Sequence, residues 1–465
     1  MSKITRAEKK ALYGSALAIA LPMMLQNGIT NAVGLVDSLM VGTLGTESVT
    51  GVSICGQLIF VFNLAIFGAI SGPGIFGAQY FGNRDIEGVR KTFRIKIWAV
   101  LFAVAIGLAV FIFNDTWLIN LYMKGETVKL DPVLTMEKAK EYLHIMLAGL
   151  LPFGLTQVYA STLRENSEST MPMVAGLISV ATDVVFNYLL IFGKFGFPAL
   201  GVSGAAIATV IARFVELGFL VIWTHVRRAK FEFIQGIYRT LLVERKILIP
   251  IIRKSIPIFI NEFLWASAIA KLTQLYSIRG LEVVPAFGIS NALTNLLNVV
   301  FVAMGSAVGI VIGQMLGAGK TEDIKEKAFS LMWFTAYLST GLTALLILLG
   351  PIFPRAYKDV DESVRYMATS FILITSVFFP LWAFLNAEYF IIRSGGKTVI
   401  TFLMDSGFSW IVTVLGVFLV CRFTNWNIYW VYIFAQGLDL LKVLFGMYLI
   451  NKGVWITNLV KNKKE

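Results

Sequence analysis

The chain has 465 residues, of which 57% are hydrophobic and only 15% charged, whereas charged residues make up roughly a quarter of a soluble domain. This balance excludes a soluble globular fold and makes the chain an integral membrane protein, whose backbone must satisfy its own hydrogen bonds in lipid. The net charge of +12 and pI near 9.5 then read as a topology signal, and a nucleic-acid partner is not expected.

Unbroken apolar runs of about 20 residues or more predict helices rather than the alternating strands of a barrel. Cys55 and Cys421 both fall inside apolar segments, so no disulfide framework is implied. The first apolar run is too long for a signal-peptide core and lacks a small-residue cleavage site after it, so it stays as the first span.

Taken in order, apolar runs set against polar breaks predict twelve spans, near 14–41, 50–80, 93–122, 141–161, 170–192, 200–224, 248–276, 283–314, 328–352, 365–391, 398–420 and 426–450. One set of segment ends holds 27 of the Lys and Arg residues and the opposite set 10. The positive-inside rule therefore places the richer set, with both termini, in the cytoplasm of a cell-membrane protein. Shifting the sequence by 235 residues superposes Pro22 on Pro257, Gly45 on Gly280, Gly74 on Gly309, Gln79 on Gln314 and Gly82 on Gly317. With six spans in each half, these are parallel repeats related by an axis along the membrane normal. The expected organisation is a six-helix lobe over 1–224, a basic cytoplasmic linker over 225–247, and a second six-helix lobe over 248–465 with a short basic tail. The linker reads either as an amphipathic segment on the anionic leaflet or as a solvated loop.

The first span carries a single carboxylate, Asp37, and an ionisable group on a spanning helix marks a functional site by default. In the fifth span Asp183 and Asn187 stand at i and i+4, so both lie on one helical face. The sixth span brings the hydroxyl of Thr209. All four fall in the outer half of the bilayer, and together they offer carboxylate, amide and hydroxyl oxygens suited to Na⁺ or to a shared proton. A structural hydrogen-bond cluster is the alternative.

The second half carries Glu262 near mid-membrane and Asp405 in the inner half, a possible substrate or proton site. In the repeat Glu262 falls opposite Asn27, whereas Asp37 falls opposite Leu272, so the halves share architecture but not chemistry. Arg213 with Glu216, and Asp439 with Lys442, read as self-neutralising pairs within single helices. Met40, Phe153, Trp265, Trp382 and Trp410 are candidates to line a cavity for bulky substrates, against a packing role for each. Gly72-Pro73-Gly74-Ile75-Phe76-Gly77 satisfies G-x-G-x-x-G formally, but it sits within an apolar span, which is not the setting of a dinucleotide site. No P-loop motif and no triad pattern is present, so neither an enzyme nor a nucleotide-driven pump is expected, and no cofactor.

Several stretches resemble the multidrug and toxic compound extrusion (MATE) transporters of the MOP superfamily. They are ALPMMLQNGITNAVGLVDSLMVG, GIFGAQYFGNRD, NYLLIFG with GFPALGVSGAAIAT, SIPIFINEFLW, GQMLGAGK and IIRSGGKT, in that order over nearly the whole chain. The resemblance implies an all-α protein of twelve transmembrane helices in a V-shaped, pseudo-two-fold pair of lobes. It implies alternating access, and antiport of drug-like organic cations or amphiphiles against Na⁺ or H⁺, by a monomer. Carried over by position, the family's first-span acid falls on Asp37, its fifth-span polar pair on Asp183 and Asn187, its sixth-span threonine on Thr209 and its second-lobe acid on Glu262. In some members the fifth-span pair reads Asn then Asp, the reverse of the order here. The usual acid before the eleventh span is replaced by Lys397. The alternative within transport is a flippase for lipid-linked saccharides, which would favour a cationic interior over this acidic one.

Overall fold

The computed structural model describes residues 4–123, 131–280, 282–357 and 360–461, so the end of the expected basic tail, Lys463 and Lys464, lies outside the described residues. Among these residues the regular structure is entirely helical. The long helices are α1 (Arg6–Gly42), α2 (Thr46–Gly82), α3 (Ile86–Tyr122), α4 (Pro132–Leu147), α5 (Leu150–Glu165), α6 (Thr170–Phe192), α7 (Val202–Val226), α8 (Arg245–Tyr276), α9 (Val283–Gly317), α10 (Ile324–Leu349) and α11 (Glu362–Ser394). Then follow α12 (Thr398–Phe402), two π-helical turns at Leu403–Gly407 and Ser409–Val414, α13 (Leu415–Phe423), α14 (Ile428–Gly437) and α15 (Asp439–Lys452).

Among the described residues ten continuous helical stretches are long and apolar enough to cross a membrane, and α4 with α5, bent by 48°, make an eleventh. The segment α8, at the place of the expected seventh span, is 32 residues long but falls short of that apolarity, carrying Arg245, Lys246, Arg253, Lys254, Glu262 and Lys271. The twelve match the expected spans one for one, with two revisions. The fourth span starts earlier, at Pro132, and is broken near Gly149. The third starts earlier, at Ile86, and Arg94 and Lys96 are buried in α3. Helices of 37 residues are about 55 Å long, well beyond a hydrocarbon core of about 30 Å, so their ends project from it. Large apolar side chains stand exposed along the spans, with Phe113 81%, Val377 72% and Ile411 69% exposed, the inverse of a soluble surface and the pattern a lipid-facing one requires.

The chain forms two compact units. The first comprises Leu25–Gly77 and Ile86–Ile251, the second Met1–Met24, Ala78–Asp85 and Ile252–Glu465. The start of α1 belongs to the second unit because Leu12, Ala16, Ile19 and Ala20 are buried in one core with Met304, Val308, Leu331 and Ile391. The end of α2 joins it by crossing α9, and the Gln79 side chain ties that end down, donating to the carbonyls of Ser394 (2.8 Å) and Thr457 (3.2 Å) and accepting from Leu459 N (2.7 Å).

Within the first unit, the basic connection after α7 is a strap docked along α3. Arg90 donates to the carbonyls of Glu232 and Phe233, Arg94 to those of Gly236 and Ile237, and Trp98 to that of Leu241. These donors recur every four residues, one face of a helix, and meet the strap in matching register. Phe231, Phe233, Ile234 and Ile237 are buried beneath it, which anchors this connection by apolar contact rather than by charge alone. Lys91 hydrogen-bonds Glu244 at its far end and holds that exposed carboxyl below its usual range.

The same unit explains the glycine pattern in α2. The Lys96 ammonium, fully buried, donates to both oxygens of Glu165 (2.7 and 2.8 Å) and to the hydroxyls of Ser161 and Thr162. A Cβ on Gly74 would lie 2.7 Å from Glu165 Oε1, and one on Gly77 would run into Oε2. Gly74 and Gly77 therefore make room for a buried ion pair, and a buried Lys survives only with such a partner.

Candidate functional site in the first unit

The helix pair α6 and α7 is closely packed: α6 ends on the left-handed Gly193, and the carbonyl of Leu190 accepts the Leu200 N–H at 2.8 Å just before α7 begins. This return sets the face of α6 bearing Asp183 and Asn187 against Thr209 of α7, and α1 brings in Asp37. Asn187, 2% exposed, donates from Nδ2 to Asp37 Oδ1 at 3.0 Å. The Asp37 and Asp183 carboxyl groups lie close enough to act on one another, and Asp183 lies near Thr209, whose hydroxyl donates to Ala205 O of its own helix at 3.2 Å. The four residues singled out from the sequence thus come together at one place. Asp183 Oδ1 and Asn187 Oδ1 are buried without a hydrogen-bond partner among the described residues.

The surroundings are apolar. Met40 packs with Val41, Ile191, Ala205 and Phe192 beside the acids. Tyr142 of α4 completes the wall near Thr209, a proximity the sequence offered no signal for because Tyr142 lies 67 positions upstream of Thr209. Arg213, one turn along α7 from Thr209, makes no close salt bridge to Glu216 among the described residues, although the two charges still act on one another as expected. Its Nη1 donates to Gly149 O at 3.1 Å, at the break between α4 and α5, and its guanidinium lies 5.1 Å from the Phe153 ring centroid. Arg213 still acts electrostatically on Asp183, so the cluster is two facing carboxyls, a neutral amide and a hydroxyl, with a fixed cation one turn away. Two carboxylates in contact away from water cannot both stay ionised cheaply.

The second unit places its acids differently. Asn261, which precedes Glu262, is the residue that bonds Asp405: its Nδ2 donates to Asp405 Oδ2 at 2.9 Å, while Ser406 Oγ donates to Asn261 Oδ1 at 2.7 Å. Asp405 and Ser406 lie in the first π-helical turn, which opens the helix at that point, as such turns often do at functional sites. Glu262 stands where Arg393 and Asp405 both act on it. The repeat held the signal for Asn261, since it falls opposite Gln26, a half-buried amide that accepts from Arg164 at 2.9 Å. Leu272, the counterpart of Asp37, packs on Val414, Val417 and Cys421, so the place of the first unit's acids is apolar here. Asp439 and Lys442 do form their expected pair, at 3.2 Å.

Of the remaining aromatic candidates two are tied into cores. Trp410 donates to Leu264 O at 3.0 Å, Trp382 packs against Phe379 with its Nε1 buried and unpartnered, and Trp265 is 39% exposed.

Twelve spanning helices built on an internal repeat, with polar clusters inside the bundle, define a polytopic membrane transporter. The MatE family model matches residues 22–189 and 257–419, and the chain belongs to that family of multidrug efflux transporters, which are not enzymes. Among curated relatives, a probable multidrug resistance protein NorM of Thermotoga maritima is 28% identical over 311 residues, 63% of this chain and 64% of that one. The probable multidrug resistance protein YoeA of Bacillus subtilis is 23% identical over 465 residues, 98% of each chain. A structure described as the outward-facing conformation of a multidrug resistance MATE family transporter of the MOP superfamily superposes with a TM-score of 0.83 at 19% identity, covering 97% of this chain and 99% of that one.

Proposed function

We propose that this protein is a secondary active exporter of organic cations or amphiphiles, working as a monomer in the cell membrane with both termini cytoplasmic, by alternating access and antiport against Na⁺ or H⁺. The observation that carries the coupling is the contact of Asn187 with Asp37 at 3.0 Å beside the buried, unpartnered Oδ1 atoms of Asp183 and Asn187. Those free lone pairs are what an entering cation would use, and the carboxyl pair is what a proton would use. A site of this kind drives transport when its occupied and empty forms favour different conformations.

The basic side chains support export over saccharide flipping. Lys96 is committed to Glu165, Lys442 to Asp439, Arg164 to Gln26 and Arg213 to the Gly149 carbonyl, leaving these cations engaged rather than offered to a phosphate.

The test is efflux of a fluorescent cationic dye from proteoliposomes under an imposed sodium or proton gradient, each applied alone and without ATP. Gradient-driven efflux is expected with one of the two ions. Efflux that needs ATP, or that ignores both gradients, overturns the proposal.

A further inference from the structure

A carboxyl group that the coupling cluster does not use lies in the second unit. Glu388 of α11 is fully buried, and among the described residues neither Oε1 nor Oε2 has a hydrogen-bond partner. Opposite it, α15 presents Gly446, where a Cβ would run into Glu388 Oε2, and the Met404 methyl group lies against the same point. The absence of a side chain at 446 is thus a notch that the carboxyl fills.

The helices packed on α11 leave this group alone electrically. α9 has no ionisable residue along its whole length. From the segment after α12, Asp405 is taken by Asn261, and from α15, Lys442 is taken by Asp439 and Ser409. Tyr448 of α15 and Tyr337 of α10 point outward, Tyr432 of α14 bonds Thr375, and Arg393, one turn along α11, lies over the rings of Tyr389 and Phe390. Burial is the one influence of note on Glu388.

A carboxylate left charged in such a place has nothing to replace its lost hydration. A metal cation would need several oxygen ligands around it, as hard ions do, whereas the notch offers a glycine and a thioether. A proton needs one acceptor only. We infer that Glu388 is a proton-binding site of the second unit, separate from the Asp37–Asp183 cluster, and that it exchanges its proton when α11 and α15 part at Gly446 during transport. The exchange step rests on the antiport reading above; proton binding at rest does not. The step is a simple transfer: the carboxyl O–H bond breaks, water accepts the proton, and the carboxylate is reprotonated when the notch closes.

The test is infrared difference spectroscopy of the full-length protein in lipid nanodiscs, reading the protonated-carboxyl C=O stretch, together with a pH-indicator count of protons released on adding a cationic dye substrate. Glu388→Gln should remove one band and release about one proton fewer per chain than the wild type. An unchanged carboxyl band in Glu388→Gln overturns proton binding, and an unchanged proton count overturns the exchange. Should Glu388→Gln fail to fold, Gly446→Ala, which crowds the carboxyl, should shift the band, and a band that does not move overturns the assignment. Wild-type protein that binds dye without releasing any proton would instead count against proton antiport while leaving the resting band of Glu388 in place.

Discussion

Gly82 of α2 and Gly317 of α9, equivalent positions of the internal repeat, make the same contact in reverse: a Cβ on Gly82 would run into the Gln314 carbonyl, and a Cβ on Gly317 into the Gln79 carbonyl. Gln79 and Gln314 are themselves repeat partners, so the two helix ends cross about a local two-fold axis with backbone against backbone. The crossing is closed chemically on one side by Gln79, whose amide holds the segment after α15.

Adding a methyl group at this crossing should separate two main chains that have no room to give. Gly82→Ala and Gly317→Ala are each expected to destabilise by about 1–3 kcal/mol, the usual cost of overpacking. The double variant should cost less than the sum, since either methyl already opens the shared contact. Thermal unfolding in detergent, followed by size-exclusion fluorescence, checks this; strictly additive losses would mean the two contacts are independent.

At the first-unit cluster, Asp37→Asn keeps the shape of the side chain and removes its charge. Ion-driven efflux should fall about 5- to 150-fold, the range of ordinary coupling free energies, with dye binding retained. Asn187→Ala and Thr209→Ala remove one neutral ligand each and should fall less. Transport by Asp37→Asn at the wild-type rate under the same gradient would take the acid out of the mechanism.

The pair Lys96 and Glu165 should behave as a buried ion pair. Lys96→Met or Glu165→Gln alone leaves an uncompensated or half-satisfied polar group and should cost about 3–5 kcal/mol, whereas the double replacement by apolar residues of similar size should be close to neutral. A double-mutant cycle on unfolding midpoints measures the coupling; a value near zero would show that the two charges are solvated independently.

The strap along α3 should come loose when its central rung is removed. Arg94→Ala leaves the Gly236 and Ile237 carbonyls without their donor, so limited trypsin digestion should cut at the exposed Arg239 markedly faster than in the wild type. Lys91→Ala, which removes only the exposed pair with Glu244, should leave the cutting rate nearly unchanged. Equal rates for Arg94→Ala and the wild type would show that the buried aromatic residues alone hold the strap.

What the sequence determined by itself was everything that depends on local composition: the twelve spans, the repeat that aligns Gln79 with Gln314 and Gly82 with Gly317, and the helical spacing that puts Asp183 and Asn187 on one face. Burial in lipid is read residue by residue along a helix, so hydropathy and periodicity carry that information without any knowledge of neighbours. The tertiary structure decided which polar groups satisfy one another. Asn187 reaches Asp37 across 150 positions and Lys96 reaches Glu165 across 69. Asn261 rather than Glu262 takes Asp405, Arg213 hydrogen-bonds the Gly149 carbonyl, and Glu388 finds no hydrogen-bond partner among the described residues. A buried charge must be compensated by whatever the packed helices bring within about 3 Å, and that proximity is a property of the assembled bundle, not of the order of residues along the chain.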